Sequence, residues 1–193
     1  FREKYFSNHP TMTADIIHAF EGIHNTWLWS AADTREGIAY PRADNEALRL
    51  LDMRKDHEIN RVIKFGFYAG LRIYDSANFE IRQHHGVTCF YLPKRSGYVE
   101  RYIPVHKNIV ELNKVSKSTS SIGNMFRRLE VMKNATDHQQ RFFSLHLTFR
   151  EKLKTLGLDS QLINGLSGYN PRMEWSAEEM KTLKDAIDQI SYD

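Results

Sequence analysis

A single cysteine, Cys89, in 193 residues leaves no internal disulfide and no thiolate zinc cage to be built from this chain. No apolar run approaches the roughly 20 residues that a membrane-spanning helix requires. The start, FREKYFSNHP, lacks the unbroken apolar stretch of a signal peptide, so a cytoplasmic protein without membrane contact is expected. Walker-type and dinucleotide glycine loops, a Gly-x-Ser-x-Gly elbow, internal repeats and low-complexity tracts are all missing. What is present is 41% hydrophobic and 26% charged residues, the composition of a soluble globular protein able to bury a core. The net charge of +3 and pI near 8.9 tolerate a polyanionic partner without requiring one. Cys89, inside the apolar stretch VTCFYL, reads as a buried strand thiol.

Residues 1–38 are mixed in character. MTADIIHAFEGI spaces Met12, Ile16, Ala19, Phe20 and Ile23 as one helix face, with Gly22 loosening its end. WLWSAADTREGIAYP then has no sustained period and closes on a proline that discourages helix at Tyr40, as a connector would. A second unit is expected over 39–193. Because residue 1 is Phe1 rather than methionine, a further domain upstream is also a live expectation. Asp44 is the expected N-cap of NEALRLLDMRK, with Leu48 and Leu51 on one face, and HEINRVIKFGFYAG follows with Ile59, Val62, Ile63 and Phe67 inward until Gly70 interrupts it. The period then changes to two. VTCFYL and YVERYIPV, separated by the turn residues of PKRSG, predict a β-hairpin. Five further segments read as helices: NIVELNKV, SSIGNMFRRLEVMK, DHQQRFFSLHLTFREKLKTLG, SQLINGLSG and SAEEMKTLKDAIDQI, with Gly157 and Gly168 as stops.

Particular residues within this order resemble a known family. FGFYAGLRIYDSANF is similar to the first active-site box of the tyrosine recombinases, the phage-integrase family, with Gly70-Leu71-Arg72 followed three positions later by Asp75. YLPKRSGYVERYIPVH resembles that family's β2–β3 turn, with Lys94 at the lysine position and Ile103-Pro104-Val105 at a Val-Pro-Leu-like stretch. SLHLTF resembles (D/S)LRHTF and GLSGYN resembles LLGH, so the likeness runs from about Tyr40 to Asp193. It implies an α+β, mainly helical fold like the tyrosine-recombinase catalytic domain with a small antiparallel β-sheet. Residues 1–38 would then close a helical core-binding region. The implied chemistry is attack of a tyrosine hydroxyl on a DNA phosphodiester, with two arginines and a histidine or tryptophan on the non-bridging oxygens and a lysine protonating the departing oxygen. Neither metal nor cofactor is implied, since guanidinium groups supply permanent, two-pronged charge stabilisation.

Carried over residue by residue, the resemblance keeps Arg72 and Lys94 and departs elsewhere. Phe143 stands at the histidine position, His146 at the second arginine and Tyr169 beside Gly168 at the Gly-His position. The nucleophile is missing, because NPRMEWSAEEM offers Trp175 and no tyrosine. WSAEEMKTLKDAIDQISYD is similar to the family's terminal helix, which makes Tyr192 part of a tail. A literal His-x-x-Arg occurs at His138–Arg141. The family's interval to the Gly-His position, however, is matched by the 23 residues from His146 to Tyr169 and not by the 28 from Arg141. A mostly neutral imidazole replaces a guanidinium poorly, whereas Arg150, one turn beyond His146 on the same helix face, can reach a phosphate.

The other candidate sites carry less. His84-His85 has no third metal ligand at a recognisable spacing, and neighbouring side chains usually point apart. Ser144 and His146 do not face each other on a helix, so they read as a polar face rather than a hydrolase pair. Lys94, Arg95, Arg101, Arg127, Arg128, Arg150, Lys152 and Lys154, with Tyr98, Tyr102 and Tyr169 among them, read either as a DNA groove or as a solvated basic face. The expectation is a DNA-binding, nucleoid-associated pseudo-recombinase in a mobile element. It would contact double-stranded DNA through Arg72, Lys94, Arg95, Arg101 and Arg150, with Arg72, Lys94, His146 and Tyr169 at the family's catalytic positions. The C-terminal helix is expected to pair copies of the chain or dock a recombinase. Two other readings stay open: an active recombinase whose tyrosine is displaced or supplied in trans, and a protein-interaction module that has lost DNA contact. In a further alternative Arg72 and Lys94 are surface charges with no such ancestry.

Overall fold

The structure, a computed structural model, describes residues 41–52, 58–94, 99–128, 142–168 and 174–192. All of them belong to one compact unit of the chain, residues 36–193. The segment MTADIIHAFEGI, the linker before Tyr40 and the expected boundary at residue 38 lie outside the described residues, as do Arg95, Tyr98, His138, Arg141 and Tyr169. The described unit is α+β and mainly helical: α1 (Asp44–Asp52), α2 (Glu58–Ala69), α3 (Ile73–Asn78), β1 (Glu80–His84), β2 (Val87–Leu92), β3 (Arg101–Pro104), α4 (Thr119–Arg127), α5 (Phe143–Thr155), α6 (Ser160–Leu166) and α7 (Ala177–Asp188). No described helix is long and apolar enough to cross a membrane.

Helix α2 is the central element because it is apolar on nearly every side: Ile59, Val62, Ile63, Phe65, Phe67 and Ala69 are all buried. It packs on α5 at close range. A β-carbon at Gly66 would lie 2.8 Å from Leu145 Cβ, so the absence of a side chain there sets how near the two helices come. The helix stops at Gly70, whose φ of +62° closes the last turn. Gly70 N–H donates to Gly66 O (3.1 Å) and Leu71 N–H to Phe65 O (3.1 Å), a C-terminal cap that turns the chain sharply into Arg72. Asp44 is not the N-cap expected of it: Ala47 N–H donates to Ala43 O (3.0 Å), so Asp44 is the first residue of α1, and its carboxylate instead accepts from Lys152 Nζ at 2.6 Å and ties α1 to α5.

The expected hairpin forms, and it belongs to a three-stranded antiparallel sheet in the order β1-β2-β3. Tyr91 faces Glu80 on one side and Tyr102 on the other, and Leu92 faces Arg101. Strand β1 was not expected from the sequence, since EIRQH carries one large apolar residue and its side chains are largely exposed. Its signal is the turn His85-Gly86, both at positive φ (48° and 78°), a two-residue connection whose twist suits a hairpin. Phe65, Phe79 and Phe90 meet edge to face at 5.5, 5.4 and 4.8 Å and join α2 to the sheet. Cys89 is buried as expected, and burial pushes its thiol up to about 12.

NIVELNKV departs from its expected helix and runs as irregular chain. Ile109, Leu112 and Val115 recur every three residues, but tertiary hydrogen bonds override that period. Val115 N–H donates to Ser76 O (3.2 Å), and the Glu58 carboxylate accepts from both Ser116 N–H (2.6 Å) and its hydroxyl (2.9 Å). Val110 is consequently left 85% exposed. The later helices follow their caps: Ser118 for α4, Asp159 for α6, and a reciprocal Ser176–Glu179 box for α7. Gly157 and Gly168 stand at φ 80° and 77° past α5 and α6, as expected of stops. Helix α7 lays Met180, Leu183 and Ile187 against β2 and β3 of its own chain, and Tyr192 donates its phenol to Phe67 O at 2.7 Å.

Two glycine substitutions separate backbone strain from overlap. Gly70→Ala introduces both a left-handed residue and a β-carbon 2.4 Å from Phe149 Cδ1. It should lower unfolding free energy in urea by about 2–4 kcal/mol. Gly86→Ala meets no atom within 4 Å and should cost about 1–2 kcal/mol, the conformational share alone. Equal losses would mean that the Phe149 contact is unimportant.

Candidate functional site

The turn that ends α2 delivers Arg72 into the interior. Its backbone N–H donates to Asp75 Oδ2 (3.2 Å), which caps α3, and its guanidinium Nη2–H donates to Ser167 O at 3.4 Å, reaching the end of α6. Arg72 is only 5% exposed, and its guanidinium carbon lies 5.8 Å from the centre of the Phe143 ring. Asp75, buried itself, also accepts from Arg101 Nη2 on β3 at 2.9 Å. Gly168 makes this pairing possible from the far side, because a β-carbon there would stand 2.8 Å from Arg101 Nη1. Arg150, on α5, donates Nη2–H to Asn164 Oδ1 of α6 at 2.8 Å.

His146, on the same helix as Arg150, feels the charges of Arg72, Arg150 and Arg101. Its Nδ1 is 2.6 Å from Gly70 O. A carbonyl oxygen only accepts, so Nδ1 carries the proton and Nε2 is left as the acceptor of a neutral ring. Phe143 stacks beside it with ring centres 5.4 Å apart. Burial holds the His146 imidazole well below the usual histidine range, and the charges of Arg72, Arg150 and Arg101 push it further the same way. Among Arg72, Arg101, Arg150, Asp75 and His146, three guanidinium charges thus face one carboxylate and one neutral ring. Such a set favours an anion, and above all one with several oxygens for planar donors.

The sequence-expected residues are distributed unevenly around this cluster. Arg72, His146 and Arg150 are in it. Arg101, expected on a groove surface, is instead buried against Asp75, because β3 points its side chain at the cap of α3. Lys94 is exposed and is not among the groups acting on His146. It leaves β2 two residues past Leu92, whose partner is Arg101, so it departs at the Arg101 end of the sheet. Arg95 and Tyr169 lie outside the described residues. Ser144, as expected, does not pair with His146: its hydroxyl accepts from Arg42 Nε–H at 2.9 Å, while Arg42 N–H donates to Thr148 Oγ1 at 2.8 Å. Arg42, the Ser167 carbonyl and Asn164 carry no signal in the sequence, since their roles depend on contacts between distant segments. Lys152 is tied to Asp44, and Lys154 is 3.7 Å from Glu151.

His84 and His85 do not point apart; the turn brings their rings edge to face at 4.4 Å. His84 also stacks on Tyr102 at 4.1 Å, and His85 Nε2 lies 2.8 Å from Trp175 O. Among the described residues no group of three or more His, Cys, Asp or Glu side chains is arranged to hold a metal ion. Comparison with protein-family models, with curated proteins and with solved structures finds no match to this chain.

The neutral state of His146 has a consequence for stability against pH. Its folded pKa is depressed, so as pH falls below about 6.5 the unfolded chain takes up a proton that the folded chain refuses, and stability drops. His106 and His84 are shifted the same way and add to the loss. Urea unfolding from pH 7 down to 5 should show falling stability, with a share from His146 of at most about 1.4 kcal/mol per pH unit. His146→Asn, which retains an amide donor for Gly70 O but does not titrate, should flatten the profile by that share. An unchanged slope would place a charged imidazole in the folded protein.

Proposed function

We propose that this protein is a DNA-binding domain of tyrosine-recombinase ancestry that grips phosphate without cutting the strand. One observation carries the reading. Arg72 and Arg101 are brought together by Asp75 and by the end of α6, where Arg72 reaches Ser167 O and Arg101 lies against Gly168, and the charges of Arg72, Arg150 and Arg101 all act on His146. Arginine's rigid fork matches phosphate oxygens in pairs, and burial strengthens each such contact. The order of elements, with helices before and after a small antiparallel sheet, agrees with the resemblance of the sequence motifs. Lys94, leaving the sheet at the Arg101 end, would extend the basic surface along a DNA backbone.

Cleavage calls for a tyrosine oxygen free to attack. Tyr192 does not supply one: its phenol is buried, donates to Phe67 O, and is held well above the usual tyrosine range by that burial and by the neighbouring Tyr68 and Asp44. Nor does a neutral His146 replace a second clamping arginine. The domain would then occupy DNA, or hold it for an active partner, as a regulator.

Gel-shift titration of a DNA duplex at several salt concentrations tests the reading. Affinity should fall steeply with ionic strength, and Arg150→Ala should weaken binding across sequences while lowering the salt slope by about one. Arg72→Ala should act likewise, with thermal unfolding run beside it because this side chain is buried. A nicked suicide duplex should yield no covalent adduct. An adduct would instead make the protein an active recombinase, and salt-independent or absent binding would leave a protein-interaction module.

A further inference from the structure

We infer that the outer edge of strand β1 is an interface between two copies of this chain, paired antiparallel about a two-fold axis at Ile81. The inference stands apart from the phosphate-binding reading, and its test needs no DNA.

The ladder itself identifies the spare backbone groups. His85 and Gly86 alone connect β1 to β2, so His84 and Val87 form the hydrogen-bonded pair that closes the hairpin. Bonded and non-bonded pairs alternate from there. Arg82 and Glu80 bond to Cys89 and Tyr91, whereas Gln83 and Ile81 turn their N–H and C=O away from β2. Thr88, opposite Gln83, fixes the same phase, because its carbonyl accepts from Val105 N–H at 2.9 Å on the β3 side. Among the described residues no strand pairs with β1 on its outer side. Common guards of an edge are missing there: β1 pairs with β2 residue for residue without a bulge, and it contains neither proline nor lysine. The other edge is guarded. Strand β3 ends on Pro104, which has no N–H to offer a neighbour, and α6 and α7 pack against it.

The two charges of β1 select the register. Glu80 and Arg82 project from one face, where Arg82 Nη2–H donates to Glu80 Oε2 at 2.7 Å and its guanidinium carbon lies 3.5 Å from the centre of the Tyr91 ring. An axis at Arg82 would set each Arg82 directly against its counterpart, like charge on like. An axis at Gln83 would set Glu80 against Gly86 and Arg82 against His84, leaving the carboxylate without a cation. An axis at Ile81 sets each Glu80 against Arg82 of the second copy, in the non-hydrogen-bonded pairs where side chains stand closest. Ile81 then exchanges both backbone bonds with its counterpart, and Gln83 N–H reaches Phe79 O. Phe79 N–H takes no part, since it already donates to Asp75 O at 3.1 Å. On the face away from the charges Ile81, 39% exposed, covers its counterpart. The two sheets become one of six strands. So short an edge makes a small, reversible interface. A domain that also binds DNA as proposed would, so paired, fit a site whose halves are inverted repeats.

Sedimentation equilibrium of the full chain without DNA measures the association, and wild type should show a reversible monomer–dimer equilibrium. Glu80→Arg leaves two cations on the strand and Arg82→Glu two anions, so each variant alone should dimerise at least about tenfold more weakly. An equimolar mixture of the two should form a heterodimer, because every cation then faces an anion across the axis. Ile81→Pro removes an N–H that faces away from β2, and should abolish association while keeping a cooperative thermal transition. Should Ile81→Pro not fold, Gln83→Pro takes its place. Wild type that stays monomeric up to about 1 mM overturns the inference, as does a dimer unaffected by the proline or a mixture that fails to associate. Each of these failures leaves the phosphate reading standing, since salt-dependent duplex binding is measured separately.

Discussion

The buried ion pair between Asp75 and Arg101 is the constraint on which the rest of this architecture turns. Its carboxylate serves two masters at once, the Arg101 guanidinium at 2.9 Å and the Arg72 backbone N–H at 3.2 Å. One acidic side chain therefore caps α3, fixes the direction in which Arg72 leaves the turn, and pins β3 beneath it. Gly168 closes on the other side of Arg101 without a side chain in the way. Taking two charges out of water costs several kcal/mol per ion, and a lone survivor of a broken pair costs about 3–5 kcal/mol. The pair contributes less net stability than its length implies, but it leaves the three segments a single arrangement that satisfies both charges.

That arrangement gives the site its electrical character. Asp75 is shared between Arg101 and the Arg72 N–H, and the charges of Arg72, Arg150 and Arg101 act on the imidazole. The ring stays neutral chiefly because it is buried, and those cations push it the same way. The backbone at Gly70 links the two effects. Its positive φ ends α2, throws Arg72 inward and leaves its carbonyl aimed at Nδ1 of His146. The tautomer of the histidine and the entry of Arg72 are thus consequences of one turn, while the close approach of α5 to α2 is set by Gly66.

Much of the fold was legible in the sequence because period and punctuation are local properties. The apolar spacing of Ile59, Val62, Ile63 and Phe67 marked α2, and Gly70, Gly157 and Gly168 marked three helix ends. The alternation of VTCFYL and YVERYIPV marked the hairpin. Strand β1 was hidden, since an edge strand with exposed side chains carries almost no hydrophobic signal. NIVELNKV misleads for the opposite reason: its spacing imitates a helix, whereas Ser76 and Glu58 hold its backbone in another shape. Of the candidate site, Arg72, His146 and Arg150 were identifiable by position. The burial of Arg101, the role of Asn164 and the bond from Arg42 to Ser144 were not, because each joins residues far apart in the chain.

Composition and periodicity alone determine that this chain buries a core, that most of it is helical, and where a β-hairpin interrupts the helices. They also place an arginine after a glycine turn and a histidine on a later helix. Whether those two residues ever meet was decided only by tertiary structure. Charge, burial and tautomer are properties of an environment, and the environment of His146 is assembled from the α2–α3 turn, β3 and α5, which are neighbours in space and not in sequence.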